Sequence, residues 1–412
     1  MLTIEEALRQ VLALAPDPLG AEWLPLAQIF GRISATGVTS TRDLPGFDNS
    51  AMDGYALRLA DAKPGARLRV VGEVAAGDQG RTPIEAGEAR RIFTGAPLPP
   101  SAELVVMQEH VNREGDWASL EESAVLEAGQ HVRRRGNDVK VGDAVLPAGT
   151  LLGAGEVGLL AACGRGGLYV TRRPRVAILP SGNELVELDL IPGPGQVVNS
   201  NAAALAAMVQ EAGGIATCLP IARDSKEALH EAFAAAEGYD LVLTSGGVSV
   251  GDHDLIQPVL KERGFTRSFW KVAMKPGKPV LCGRLADGAR FLGLPGNPAS
   301  TMVAFELFGR PLLRRLLGHP RPYRLERIVP LLEDYPKRTG RTHVVRGFYE
   351  SGGFRPLQRQ GSGMLRSMIG VDALALVPPE LDRLVKGAPV VTLDLREGSQ
   401  AQQPKLLGCE QG

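Results

Sequence analysis

No charge of one sign is in excess in this chain: Lys and Arg number 46, Asp and Glu number 46, and the formal net charge is zero. That balance speaks against a general nucleic-acid surface, which needs a broad positive field, and leaves only local basic clusters open. Cysteine is scarce. The residues Cys163, Cys218, Cys282 and Cys409 lie far apart with no CxxC pair, so neither a zinc site nor a disulfide framework is indicated. They read as small core hydrophobes, and a reducing cytoplasm is the easiest setting for them. Apolar runs are too short and too interrupted to span a bilayer. The opening MLTIEEALRQVLALAPDP carries acids and reads as an amphipathic helix stopped at Pro16, not as a secretory signal. Also missing are the GxGxxG fingerprint, the Walker A loop and a GxSxG elbow in the right context.

What the chain has is length and turns. At 412 residues it is too long for one ordinary core, and roughly two to four domains are expected. Its 50 glycines and 30 prolines punctuate the sequence without forming an internal repeat. From about Pro45 to Val139, short β runs such as LRVVGEVAAG, ARRIF and ELVVMQEHV alternate with turns, the texture of a small all-β module. Helical patterning returns at GEVGLLAACG, so the β module reads as an insertion into the first segment. From Arg175 to about Gly318, apolar strands such as RVAILP and DLVLTSGG alternate with helical runs such as NSNAAALAAMVQEAGG and KEALHEAFAAAEG. That alternation predicts βαβ units in a mostly parallel sheet with helices on both faces. The extended run FWKVAMKPGKPVLCG and the helix NPASTMVAFELFGRPLLRRLLG close this region. After the proline-rich link HPRPYR the pattern is β-like again, which suggests a small β-barrel.

The chemistry gathers at strand ends. LVLTSGGVSVGDHD (Leu241 to Asp254), RVAILPSGNEL and RFLGLPGNPAS each run from an apolar strand into a Ser/Gly or Pro/Gly turn. In an open α/β sheet ligands settle beyond the carboxyl ends of strands, where glycines admit a phosphate to the backbone amides. One anion-binding crevice is therefore expected. Glu184, Asp224, Asp252 and Asp254 follow strand ends, and carboxylates beside phosphate-binding loops are the usual way to hold Mg²⁺. His253, between two acids, is left without a role. Lys271, Lys275 and Lys278 of FWKVAMKPGKP would converge on an oxyanion if the run is a strand followed by a Pro-Gly turn; an exposed hairpin is the alternative. PGFDNSAMDGYALR, with Asp48 and Asp53, reads by itself as a hydrogen-bonded Asx turn before it reads as a catalytic loop. RRRGNDV (Arg133 to Val139) is either a solvated charge run or a guanidinium grip on an anion.

Taken in order, PGFDNSAMDGYALR, IFTGAPLP, VVMQE, RRRGND, PSGNEL, TSGGVSVGDHD, FWKVAMKPGKP and GLPGNPAS resemble the molybdopterin molybdenumtransferases, the MoeA-like family that includes the gephyrin E domain. Weaker matches continue at VVRG and RQGSG, while Asn183 stands where many members carry an acid. The resemblance implies a multidomain α/β fold. Its parts would be a split α+β N-terminal domain (1–45 plus 140–173), an inserted β domain (46–139), a doubly wound molybdopterin-binding α/β domain (174–319) and a C-terminal β-barrel (320–400). It implies molybdate insertion into adenylylated molybdopterin with Mg²⁺-dependent release of AMP, the last step of molybdenum cofactor biosynthesis. By matched position, Asp53, Thr94, Asp138, Glu184, Lys271 and Lys275 would be catalytic. Ser245, Gly246, Gly247, Lys278, Ser300, Arg346 and Ser362 would bind substrate, and Asp224 and Asp254 would hold the metal. The resemblance further implies a cytoplasmic homodimer with composite sites and transient contact with the molybdopterin adenylyltransferase and with acceptor enzymes or carriers. Neither nucleic acid nor membrane is expected as a partner. A nucleotide hydrolase on the same α/β domain, or a scaffold of the gephyrin kind, are the rival readings; the first would not need PGFDNSAMDGYA, RRRGND and KPGKP.

Overall fold

The computed structural model describes residues 1–247 and 255–396. Two compact units make up the chain: residues 23–170 form one, and residues 1–22 join those from Thr171 onward in the other. The first helix, α1 (Ile4–Ala13), starts at a reciprocal capping box in which Thr3 Oγ1 accepts from Glu6 N at 3.1 Å and the Glu6 carboxylate accepts from Thr3 N at 2.8 Å. Its apolar stripe, with Ala7 and Val11, is buried in a core shared with Val176, Ile178 and Phe308.

The 23–170 unit is centred on a six-stranded sheet built from β1 (Gly54–Leu57), β2 (Arg67–Val74), β3 (Glu88–Ile92), β4 (Leu104–Met107), β5 (Val111–Glu114) and β6 (Trp117–Leu120). The spatial order is β4-β1-β3-β2-β6-β5. Tyr55 and Leu57 pack with Leu68, Leu104 and Val106 in one cluster, while Ala56 faces another with Val74, Ile92 and Val105. Alternate residues of β1 thus serve opposite faces, as the pleat demands. Within the same unit α2 (Ala154–Ala162) contributes Leu160 to a smaller cluster with Ile29, Leu152 and Val170.

In the other unit, β7 (Arg175–Pro180), α3 (Ser200–Glu211), β8 (Ile215–Cys218), α4 (Lys226–Ala235), β9 (Leu241–Ser245) and α5 (Ile256–Glu262) follow in the alternation the sequence predicts. Then come β10 (Thr266–Trp270), β11 (Met274–Lys275), β12 (Leu281–Arg284), β13 (Arg290–Leu294), α6 (Pro298–Ala304) and α7 (Arg310–Leu316). The sheet order is β8-β7-β9-β13-β12-β10. Its first four strands are parallel, β12 runs antiparallel to β13, and β10 runs antiparallel to β12. Both faces are covered: Val176 and Ile178 of β7 pack with α1, α3, α6 and α7, whereas Ala177 and Leu179 pack with α4 and α5. The sheet is doubly wound.

Two local differences from the sequence reading have physical causes. Lys271 has φ 75, so β10 ends at Trp270 and the every-second-residue rule no longer links Lys271 to Lys275. The closing helix is not one run either. A π-helical turn, Phe305–Gly309, separates α6 from α7 just ahead of Pro311, which has no N–H to give a regular ladder.

The C-terminal sheet comprises β14 (Glu326–Pro330), β15 (Thr342–Glu350), β16 (Gly353–Pro356), β17 (Ala373–Val377) and β18 (Pro389–Asp394). Its order is β11-β15-β17-β18-β14, with β16 also paired to β15. It curls, because Leu331, just past β14, bridges Phe354 of β16. One of its strands, β11, comes from within the α/β region, pairing Met274 with Thr342 and Lys275 with His343. The connecting segment is also tied down: Arg324 pairs with Glu306 and with Glu211, each at 2.8 Å.

Candidate active-site cleft

Registry brings the carboxyl ends of three strands together. Pro180 of β7 lies opposite Ser245 of β9, and Ser245 opposite Leu294 of β13. Each strand then turns. Gly182 has φ 146, and a Cβ there would stand 2.4 Å from the Glu184 carboxylate. Gly247 has φ 62, and a Cβ would stand 2.3 Å from Ile256 Cδ1. Only glycine permits both the left-handed backbone and the close approach. Beyond these ends opens a cleft of about 1190 Å³.

Glu184, Ser245, Gly246, Lys275, Lys278, Ser300 and Ser362 line it, as do the backbone of the KPGKP turn and the Pro295–Pro298 loop. Lys275 and Lys278 are exposed and form no ion pair among the described residues. Among the described residues the Ser245 hydroxyl is buried without a hydrogen-bond partner, an unusual state for a buried polar atom. The loop 360–363 is fastened over α6: Ala299 N and Ser300 N donate to Ser362 O at 3.0 and 3.3 Å, and Asn297 Nδ2 donates to Ser362 Oγ at 3.2 Å. The basic side chains and the serine hydroxyls suit an oxyanion or phosphate.

The remaining expected residues stand elsewhere. Arg346 is wholly buried and works beneath the cleft. Its Nε donates to Gln360 Oε1 at 3.0 Å, and its Nη1 to Gly361 O at 3.2 Å and Ser367 Oγ at 2.7 Å, so it shapes the 360–363 loop. Its Nη2 has no partner among the described residues, and burial lowers the guanidinium pKa. Lys271 does not border the cleft; its Nζ lies 3.6 Å over the Trp270 ring. Asp224 is exposed beside the cleft and exchanges hydrogen bonds with Asn183: Asp224 Oδ2 accepts from Asn183 N at 3.0 Å, and Asn183 Oδ1 accepts from Asp224 N at 3.1 Å. Gly247 shapes the β9 turn without reaching the cleft wall. Asp252, His253 and Asp254 lie outside the described residues.

Asp53, Thr94 and Asp138 belong to the 23–170 unit. Asp53 Oδ1 accepts from Thr94 N at 2.7 Å and from Thr94 Oγ1 at 2.8 Å. The Thr94 backbone N–H, then its hydroxyl, hold this carboxyl below the usual aspartate range. The Asp138 side chain is exposed, and its N–H donates to Leu44 O at 2.9 Å. The arginine run is partly engaged: Arg134 pairs with Asp48 at 2.7 Å and Arg135 with Asp43 at 2.5 Å.

Sequence reasoning missed Tyr335, Arg341 and His343, C-terminal residues that also line the cleft. The only available signal was their closeness to the VVRG block; the pairing of β11 with β15 that places His343 is not visible in a sequence. Among the described residues no His, Cys, Asp or Glu cluster of three or more is placed to hold a metal, and no helix is long and apolar enough to cross a membrane.

A molybdopterin molybdenumtransferase from Nostoc is 38% identical to this chain over 384 residues, covering 89% of this chain and 86% of the relative. The chain belongs to the molybdopterin molybdenumtransferase family. The Haemophilus influenzae molybdopterin molybdenumtransferase is 37% identical over 85% of this chain and 86% of its own length. Family models agree along most of the chain: residues 2–164 match the "MoeA N-terminal region (domain I and II)", 177–315 the "Probable molybdopterin binding domain" and 329–395 the "MoeA C-terminal region (domain IV)". The crystal structure of a molybdopterin biosynthesis MoeA protein from Pyrococcus horikoshii superposes with a TM-score of 0.83 at 31% identity, covering 96% of this chain and all of that one. The family resemblance and multidomain α/β fold read from the motifs are borne out. In this molybdopterin molybdenumtransferase family member the cleft falls on the α/β domain and the C-terminal sheet, both inside one compact unit.

Proposed function

We propose that this chain inserts molybdate into adenylylated molybdopterin with release of AMP, completing molybdenum cofactor biosynthesis. The observation that carries the reading is the cleft at the aligned strand ends, lined by Ser245 and by Lys275 and Lys278, which form no ion pair among the described residues. Molybdate is a dianion, and ammonium and hydroxyl donors bind such a group by charge-assisted hydrogen bonds. The Gly246 turn at the end of β9, on the cleft wall, lets a pyrophosphate approach the backbone. Ser300 and Ser362 offer further hydroxyls, and Arg346 sets the loop that carries Ser362.

Mg²⁺ takes one or two carboxylates and completes its shell with water and phosphate oxygens, a demand that the exposed Asp224 can meet in part. Asp224 keeps one carboxylate oxygen without a partner among the described residues, since Asn183 N engages only Oδ2. Asp224 and Asp254 would hold the ion, which would neutralise charge on the departing phosphate. Glu184, at the cleft edge, is the carboxylate available to take up a proton there. Lys271 would steady the β10–β11 turn from its place on Trp270.

The reading extends to partners. Asp53, Thr94 and Asp138 would reach the cleft of a second copy in a homodimer with composite sites. The enzyme would meet the molybdopterin adenylyltransferase and cofactor acceptors transiently in the cytoplasm. The four-part division expected from the sequence would be the domain plan, with α1 docked on the α/β core. Purified chain given adenylylated molybdopterin and Mg²⁺ should release AMP only when molybdate is added. AMP release that ignores molybdate would overturn the transferase reading in favour of a simple hydrolase.

A further inference from the structure

One imidazole on the cleft wall has no part in the roles above. His343 is 6% exposed and borders the cleft with Lys275, Arg341 and Tyr335. It lies on β15 directly opposite Lys275 of β11. Residues paired across neighbouring strands project to the same face of a sheet, so ring and ammonium stem share one side. The Tyr335 hydroxyl stands 3.4 Å from His343 Nδ1, with the two rings edge to face at 6.1 Å. Phenol is the better acid and imidazole the better base, so in this pair the hydroxyl donates and Nδ1 accepts. The ring proton then sits on Nε2, an N–H with no hydrogen-bond partner among the described residues. Burial, with the charges of Lys275, Lys337 and Arg341 around it, pulls the ring pKa down to about 4, so the ring is neutral at physiological pH.

We infer that His343, oriented by Tyr335, is an anion-binding residue of the cleft, its Nε2–H an uncharged donor to the oxyanion that Lys275 and Lys278 attract. The inference rests on the cleft being the oxyanion site. Its physical content is a division of labour. Ammonium groups on flexible stems attract any anion with little regard to direction. A ring held by packing and by a hydroxyl offers one N–H along one line, and so favours an anion with an oxygen at that place. A third positive charge beside Lys275 and Arg341 would repel them; a neutral ring adds a hydrogen bond without that cost.

Titration calorimetry of the full chain with sodium molybdate tests this, with Lys275→Ala as the control for the cleft itself. His343→Ala should weaken molybdate binding roughly tenfold, His343→Asn, which keeps a donor, should stay within about threefold of wild type, and Tyr335→Phe should fall between them. Wild-type affinity in His343→Ala while Lys275→Ala is weakened would overturn the inference and leave the cleft reading standing. Molybdate binding that ignores Lys275 as well would overturn both. Should His343→Ala fail to fold, wild-type chain labelled with ¹⁵N-histidine decides the matter. The His343 Nε2 resonance should move on addition of molybdate, and an unmoved resonance refutes the contact.

Discussion

At the scale of single residues, turn chemistry was legible and partnership was not. The glycines after β7 and β9, and the lysines flanking the Pro-Gly turn, announce themselves because their types are demanded locally by positive φ or by charge near an apolar strand. Arg346 and His343 could not be ranked in the same way. One is buried beneath the site and the other on its wall, a difference made by strand pairing and not by neighbours in the chain. Replacing Lys278 by Ala should raise the molybdate concentration for half-maximal AMP release by roughly ten- to a hundredfold, the loss of one charge-assisted hydrogen bond. An unchanged molybdate dependence would place that lysine on another surface. His343 also gives stability a pH signature. Its pKa falls from 6.5 to about 4 in the folded chain, so the unfolded chain binds more protons across that window. Stability is therefore fully present above about pH 6.5 and is lost as pH falls through about 4. The positive groups around the ring, Lys275, Lys337 and Arg341, all act in this direction, and Tyr335 stays protonated throughout. Urea unfolding of wild type and His343→Phe at a series of pH values should show the difference shifting toward the variant by up to about 3 kcal/mol on acidification, less where solvent reaches the ring.

At the scale of elements, periodicity carried the α/β region well. β7 alternates between two cores, and its flanking helices carry the stripes that cover them. Periodicity failed where one residue broke a run. Positive φ at Lys271 ended β10, and Pro311 forced the widened turn between α6 and α7. Glycine substitutions separate these effects. Gly247→Ala combines φ 62 with a Cβ 2.3 Å from Ile256 Cδ1. It should cost about 1–3 kcal/mol and weaken molybdate binding through the displaced β9 turn. Gly155→Ala, on an exposed turn of α2 with nothing within 4 Å of the added carbon, should stabilise by about 0.5–1 kcal/mol. Thermal melts of the two variants should therefore move in opposite directions; a Gly247→Ala chain melting with wild type would remove the steric claim.

At the scale of the whole molecule, the motifs gave away the family because each block answers to a local rule, while the strand that β11 lends to the C-terminal sheet obeys none that a sequence displays. The proposed composite site has a direct test. Inactive Asp53→Ala chains mixed with inactive Asp254→Ala chains should regain about a quarter of wild-type activity, because half the chains enter mixed dimers that each hold one intact cleft. No recovery after verified subunit exchange would rule the shared site out. The borrowed strand also bears on how such a protein can be taken apart. Because Lys275 is counted in one domain by sequence and in another by hydrogen bonding, a cut at Gly318 does not separate two modules. A graft of a relative's C-terminal sheet onto this chain would have to bring that relative's own KPGKP-like segment with it, and a chimera joined only at the linker would inherit a wall with one mismatched strand.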